Sequence, residues 1–185
     1  AQTGTGKTLA YLLPILQDLA YSNQLQPRVL IVVPTRELVV QVVDDLARLT
    51  QYMSVRVQGI FGGVNINTQR INLMDGADII VATPGRLYDL ALSHSIPLKS
   101  VKKLVIDEVD VMLDLGFRPQ IMDLFELLPE KRQNILFSAT MTEEVEELIQ
   151  NFFTAPQKIS IAVSGTPLEN IEQSVYRVEN FYTPR

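Results

Sequence analysis

Residues 1–8 read Ala1-Gln2-Thr3-Gly4-Thr5-Gly6-Lys7-Thr8, a run of mostly small residues that closes on a lysine and a hydroxyl. Small residues let backbone N–H groups wrap around phosphate oxygens at the N-terminus of a helix. Lys7 then reaches the β- and γ-phosphates of a nucleoside triphosphate, and the Thr8 hydroxyl holds the magnesium ion that bridges them. A bland alternative is a Gly-rich turn that merely starts an ordinary helix. A dinucleotide fingerprint is excluded, because Leu9 stands where Gly or Ala must follow Gly4-Thr5-Gly6.

Outward from the loop, short β-branched runs alternate with amphipathic stretches, the pattern of a parallel sheet wound with helices on both faces. Lys7 to about Tyr21 reads as the helix opened by the loop, with Pro14 expected to break one internal bond and kink it. Val29 to Val33 reads as a strand apolar on both faces. Leu38, Val42, Leu46 and Leu49 then recur at helical spacing. Val55 to Phe61 and Ala77 to Thr83 read as further strands, with a short helix about Thr68 to Met74 between them. Leu104 to Ile106 leads into Asp107, and Ile135 to Phe137 into Ser138. Every apolar run thus ends in polar residues, and ligands bind at that carboxyl edge of open α/β sheets. Thr142 is placed to cap a helix whose buried stripe is Val145, Leu148, Ile149, Phe152 and Phe153. Lys158 to Val163 is expected to be a last core strand, with 1–163 forming one domain. Ser164-Gly165-Thr166-Pro167 then reads as a linker and Ile171 to Val178 as a strand of a further domain. Both ends are expected to be cuts through a larger protein, since a phosphate loop ordinarily follows a strand.

Composition narrows the function. The 185 residues suffice for one well-buried domain, and no apolar run approaches the roughly 20 residues that span a bilayer. No signal segment opens the chain, so the expected location is cytoplasmic and no membrane partner is expected. Zero cysteines exclude disulfides, thiolate nucleophiles and cysteine-bound zinc, and the single His94 argues against a His-based triad. His94 itself reads as a solvated residue near a helix end. A net charge of −5 runs against the basic surplus usual in nucleic-acid-binding domains.

The second chemical group is Asp107-Glu108-Val109-Asp110, directly after a buried strand. A phosphate loop needs a carboxylate to hold magnesium, which Asp107 supplies, and Glu108 beside it is suited to orient or deprotonate water. A solvated acidic turn is the competing reading. Ser138-Ala139-Thr140 offers two hydroxyls to Asp110 or to phosphate, although a plain strand-to-helix turn also explains it. Three more polar turns follow strands: Pro34-Thr35-Arg36-Glu37-Leu38, Gly62-Gly63 and Thr83-Pro84-Gly85-Arg86. Helix N-termini, glycines and guanidinium groups hold a phosphodiester backbone without reading bases. Ordinary helix caps, and surface ion pairs of Arg36 and Arg86, are the alternatives.

Taken in order, these six motifs resemble the first RecA-like domain of the DEAD-box family of ATP-dependent RNA helicases, over nearly the whole chain. Met112-Leu113-Asp114-Leu115-Gly116-Phe117 adds to the likeness. The resemblance implies a RecA-like P-loop NTPase fold, ATP and Mg2+ as cofactors, and single-stranded or duplex RNA as partner. It implies that residues 1–8 bind ATP, with Lys7 and Thr8 on ATP and magnesium. Asp107 would hold the metal, Glu108 activate water, and Asp110 with Ser138 and Thr140 couple ATP state to RNA grip. Pro34, Thr35, Arg36, Gly62, Gly63, Thr83, Pro84, Gly85 and Arg86 would lie on the RNA backbone.

Val109 departs from the family's alanine and is expected to add tolerated bulk beside the metal site. The segment that recognises adenine in the family and the second RecA-like domain with its arginines are expected outside this chain, so the chain alone should hydrolyse ATP poorly, an arginine finger contributing roughly 10³ to 10⁵ in rate. Two rival functions stand beside the helicase. One is a nucleotide-gated module that binds RNA or protein without unwinding; the other is a DNA-directed translocase.

Overall fold

A computed structural model of the chain describes residues 6–160. Strands β1 (Val29–Val32), β2 (Val57–Ile60), β3 (Ile79–Ala82), β4 (Lys103–Ile106) and β5 (Gln133–Leu136) form one fully parallel sheet in the order β2-β3-β1-β4-β5. Among the described residues seven α-helices accompany them: α1 (Lys7–Asp18), α2 (Arg36–Leu49), α3 (Ile66–Met74), α4 (Pro84–Leu92), α5 (Val109–Asp114), α6 (Arg118–Leu127) and α7 (Glu143–Phe152).

Period-two alternation in β1 sorts its side chains between two cores. Leu30 and Val32 join Leu87, Ile121, Leu124 and Val145 on one face, while Val29 and Ile31 join Leu12, Ile15, Val39 and Leu46 on the other. Helices therefore cover both faces, and every residue of β1 and β3 is buried. Outer strands β2 and β5 are only partly buried, as sheet edges are. Local signals agree with this packing: Thr35 Oγ1 accepts the Leu38 N–H at 3.3 Å and caps α2, and Thr142 caps α7 through Val145.

Position in the sheet decides where ligands meet it. From β1 the chain leaves outward to β2, returns through β3, then passes to β4 on the opposite side of β1. At the carboxyl ends of β1 and β4 the direction of winding reverses, the position at which open α/β sheets form their ligand crevice. The Asp107 N–H bonds Val32 O at 2.9 Å and the Val109 N–H bonds Phe137 O at 3.1 Å, so the acidic segment is fastened to the strands on both sides of β4.

The opposite edge is tied by one buried carboxylate. Asp78, 1% exposed, accepts from Arg28 Nη2 at 2.8 Å, from Arg56 Nε at 3.1 Å and from the Arg56 N–H at 3.0 Å. Arg28 also donates to Ala20 O, and Arg56 to Gln24 O and Asp75 O. Burial pushes the Asp78 carboxyl up, but hydrogen bonds from Arg56 and Arg28 outweigh it and hold the pKa below the usual carboxylate value. The irregular segment between α1 and β1 is anchored by this cluster.

Several boundaries differ from the sequence expectations. The first helix stops at Asp18 instead of Tyr21, because Lys103 captures Asp18 at 2.6 Å and Arg28 captures Ala20 O. Pro14 sits inside that helix on its exposed side, and the helix continues past it. Strands β2 and β3 are shorter than read, since single bonds such as Thr83 N–H to Ile60 O close their ends without a ladder. Lys158–Ser160 are not in a strand, and Ile159 is 85% exposed. Ile161–Val163, the linker and the expected strand Ile171–Val178 lie outside the described residues. His94 is exposed just past α4, as expected.

Candidate nucleotide and nucleic-acid site

Gly6 adopts a left-handed conformation (φ 78°) that a side chain would strain, and this turns the backbone into α1 with Lys7 as its first residue. Ala1, Gln2, Thr3, Gly4 and Thr5 lie outside the described residues. Lys7 is buried at the crevice, its Nζ 3.7 Å from Asp107 Oδ1 and 3.9 Å from Glu108 Oε1. Both distances exceed hydrogen-bond length. Among the described residues, Lys7 Nζ and Asp107 Oδ1 are each buried with no hydrogen-bond partner. A buried ammonium and carboxylate left in this state are costly unless a third, charged group joins them. A phosphate oxygen for the lysine and a divalent cation for the carboxylate fit that donor and acceptor. Thr8, half-buried on the next position of α1, adds the hydroxyl.

Electrostatics at Asp107 follow from the same burial. Desolvation raises its pKa, and the charge of Lys7, the Glu108 N–H and the Tyr11 hydroxyl offset it only in part. Tyr11, fully buried in the next turn of α1 and packed on Phe137 at 5.4 Å, places its hydroxyl beside Thr8 and Asp107. Burial, with the Asp107 charge, pushes that phenol well above its ordinary range. Glu108 precedes α5 in a left-handed conformation (φ 54°, ψ 48°), a strained state for a side chain with a Cβ and one that concentrates at functional positions. Val109 beside it is 0% exposed and belongs to the core with Met112 and Val145. Its extra bulk therefore enters the core, which corrects the expectation that it stands beside the metal site.

Asp110 is joined to the strand-end hydroxyls. Its Oδ2 accepts from the Thr140 hydroxyl at 2.8 Å, the Thr140 N–H at 2.8 Å and the Ala139 N–H at 3.2 Å. Burial raises this carboxyl, but Thr140, Ser138 and the Val111 N–H hold its pKa below the ordinary value. Ser138 Oγ in turn donates to Thr140 O at 2.5 Å. The two motifs are therefore one hydrogen-bonded unit.

The three polar turns occupy the same edge, after β1, β2 and β3. Pro34 is buried, Thr35 is spent as a cap, and Arg36 lies exposed over the Phe61 ring at 5.0 Å. Gly62 and Gly63 are exposed with open space where a Cβ would stand, and Gly63 has φ 82°. Thr83 makes no side-chain cap, Pro84 is the buried first residue of α4, and Gly85 is half-exposed against Phe117. Arg86 Nη1 donates to Val64 O and to Gln69 Oε1, both at 2.9 Å. Neither Arg36 nor Arg86 makes an ion pair among the described residues. Tyr11, Phe61 and Gln69 were not singled out in the sequence, where each reads as part of a helix or strand.

A parallel sheet in this order, with a lysine-led helix facing an Asp-Glu pair across the winding reversal, defines a RecA-like domain. Its family is set by sequence: the chain belongs to the DEAD/DEAH box helicases, whose family model matches residues 1–148. It is 42% identical to the ATP-dependent RNA helicase RhlB of Pseudomonas syringae pv. tomato, over 96% of this chain and 47% of that protein. It is 38% identical to the DEAD-box ATP-dependent RNA helicase CshA of Streptococcus pneumoniae, over 97% of this chain and 34% of that protein. Among solved structures it is similar to the yeast DEAD-box splicing factor Prp28, with a TM-score of 0.78 and 36% identity over 83% of this chain and 38% of the other. A DEAD box protein from Methanococcus jannaschii gives the same TM-score at 34% identity, over 82% of this chain and 41% of the other. The chain thus spans half or less of these proteins.

Proposed function

We propose that the chain is the ATP-binding domain of an ATP-dependent RNA helicase, which couples ATP hydrolysis to RNA backbone binding and local unwinding. The observation that carries this reading is the buried ion pair of Lys7 Nζ and Asp107 Oδ1 at the winding reversal, in which neither atom has a hydrogen-bond partner among the described residues. Residues 1–8 would cradle the triphosphate, with Lys7 on its β- and γ-phosphates. Magnesium, when bound, neutralises charge between those phosphates. Thr8 and Asp107 would hold it together with phosphate oxygens, in keeping with the absence of any cluster of three acidic or imidazole ligands among the described residues. Glu108 would orient the attacking water and take its proton. The Asp110-Ser138-Thr140 unit would transmit the state of that site to the RNA turns.

Pro34, Thr35, Arg36, Gly62, Gly63, Thr83, Pro84, Gly85 and Arg86 would form the RNA face. Glycine N–H groups and two arginines hold phosphates there without a basic surface overall, which reconciles RNA with a net charge of −5. A second RecA-like domain of the same protein would supply the remaining arginines and complete the catalytic site. No helix among the described residues is long and apolar enough to cross a membrane, and we place the protein in the cytoplasm.

The test is ATP turnover with matched single-stranded RNA and DNA, in a protein extended to the length of the relatives. RNA alone should raise the rate by at least about tenfold. Equal stimulation by DNA identifies a DNA-directed translocase, and nucleotide binding with no turnover identifies a nucleotide-gated module.

A further inference from the structure

Gln69 belongs to none of the six motifs, yet it is one of few buried polar side chains among the described residues, 7% exposed on α3. Both ends of its amide are used: Nε2 donates to Phe61 O at 3.1 Å and Oε1 accepts from Arg86 Nη1 at 2.9 Å. Phe61 directly precedes Gly62-Gly63, and Val64, whose carbonyl also takes Arg86 Nη1, directly follows. The glycine turn is thus held at both of its ends. Phe61 also carries Arg36 on its ring. Gln69 therefore links the turns after β2 and β3 directly, and the Phe61 ring extends the link to the turn after β1.

We infer that Gln69 is a positioning residue for nucleic-acid binding: it fixes the Gly62-Gly63 turn against Arg86 so that three phosphate-contacting turns form one surface. The inference rests on the RNA-binding reading above. Two glycines in sequence cost conformational entropy to order, and a turn left loose would pay it on each binding event. Part-buried hydrogen bonds at both flanks offset that cost during folding instead. Arg86 gains as well. Both hydrogens of Nη1 are taken by Gln69 and Val64, while Nε and Nη2 have no partner among the described residues. Those remaining donors suit bidentate contact with a phosphate. Gln69 accepts without adding charge, so Arg86 stays a net cation, which a carboxylate at this position would cancel.

The experiment uses Gln69→Met, which keeps the length of the side chain and removes both hydrogen bonds, in the protein extended to the length of the relatives. Two readouts are taken: hydrogen exchange of the backbone amides of residues 62–66 without ligand, and affinity for a fluorescent single-stranded decauridylate RNA in the presence of a non-hydrolysable ATP analogue. The expected result is exchange at least about tenfold faster at 62–66 and RNA affinity about tenfold weaker, with affinity for the ATP analogue alone unchanged. In an Arg86→Met background the Gln69 change should weaken RNA binding by less than about twofold more, because it acts through Arg86. Unchanged exchange overturns the strut, faster exchange with unchanged RNA affinity overturns its role in binding, and full additivity with Arg86→Met overturns the route through Arg86. If the unaltered protein binds no RNA, the RNA-binding reading itself fails, and exchange at 62–66 still decides whether Gln69 holds the turn.

Discussion

Glu108→Gln is expected to lower the rate of ATP hydrolysis by about 10²- to 10⁴-fold, the usual contribution of a positioned general base. Affinity for ATP should stay within a few-fold of the original. The split follows from the geometry. Lys7 Nζ lies 3.7 Å from Asp107 and 3.9 Å from Glu108, so removing the Glu108 charge leaves one carboxylate facing the ammonium and the phosphate contacts intact. Glutamine keeps the shape and the strained backbone at that position, but it cannot accept a proton from water. Pre-steady-state turnover measured beside equilibrium nucleotide binding separates the two effects. An equal loss in both would mean that Glu108 binds nucleotide and does not act on water.

Asp78→Asn is expected to give the largest loss of stability, about 3–5 kcal/mol, because breaking a buried ion pair strands the partner charge. The lower part of that range applies, since Arg56 is a third exposed and water can take over its solvation, whereas the Arg28 side chain is 12% exposed. In a domain of this size a loss of about 3–4 kcal/mol corresponds to roughly 6–16 °C in Tm. Arg28→Met should accordingly cost more than Arg56→Met. The pH dependence has a definite sign. The folded pKa of Asp78 is held below its unfolded value, so its contribution is complete above the unfolded pKa and is lost as pH falls through the folded one. Thermal melts should show the gap between the original chain and Asp78→Asn constant from about pH 5 to 8 and narrowing below about pH 4. A gap that stays constant down to pH 2 would show that Asp78 acts by shape alone.

How far the sequence could be read differed between backbone and side chains. Val29-Leu30-Ile31-Val32 and Ile79-Ile80-Val81-Ala82 announce central parallel strands because both faces are apolar, and both are fully buried. The polar residues that end each run mark the ligand edge for the same reason. Ranges were less legible where tertiary contacts set them, as at Asp18. Asp78 stands inside a run read as strand, and its partners Arg28 and Arg56 lie 50 and 22 residues away. No local pattern connects such residues. Glu108 carries its left-handed backbone without the glycine that would have advertised it. Gln69 is one glutamine on a short helix of weak amphipathic pattern, visible only once Phe61 and Arg86 are seen on either side of it. The motif residues at strand ends stood out because each group follows an apolar run, whereas the residues packed against them follow from the fold.

On the proposed function, the buried charges at the reversal between β1 and β4 bind a nucleoside triphosphate through Lys7. Calorimetric titration of ATP with magnesium into the chain and into Lys7→Ala tests it most directly, with circular dichroism to confirm that the variant is folded. Loss of a charge-assisted contact worth about 1.5–3 kcal/mol should weaken binding by roughly 10- to 150-fold. Equal affinity in a folded Lys7→Ala chain would contradict the account.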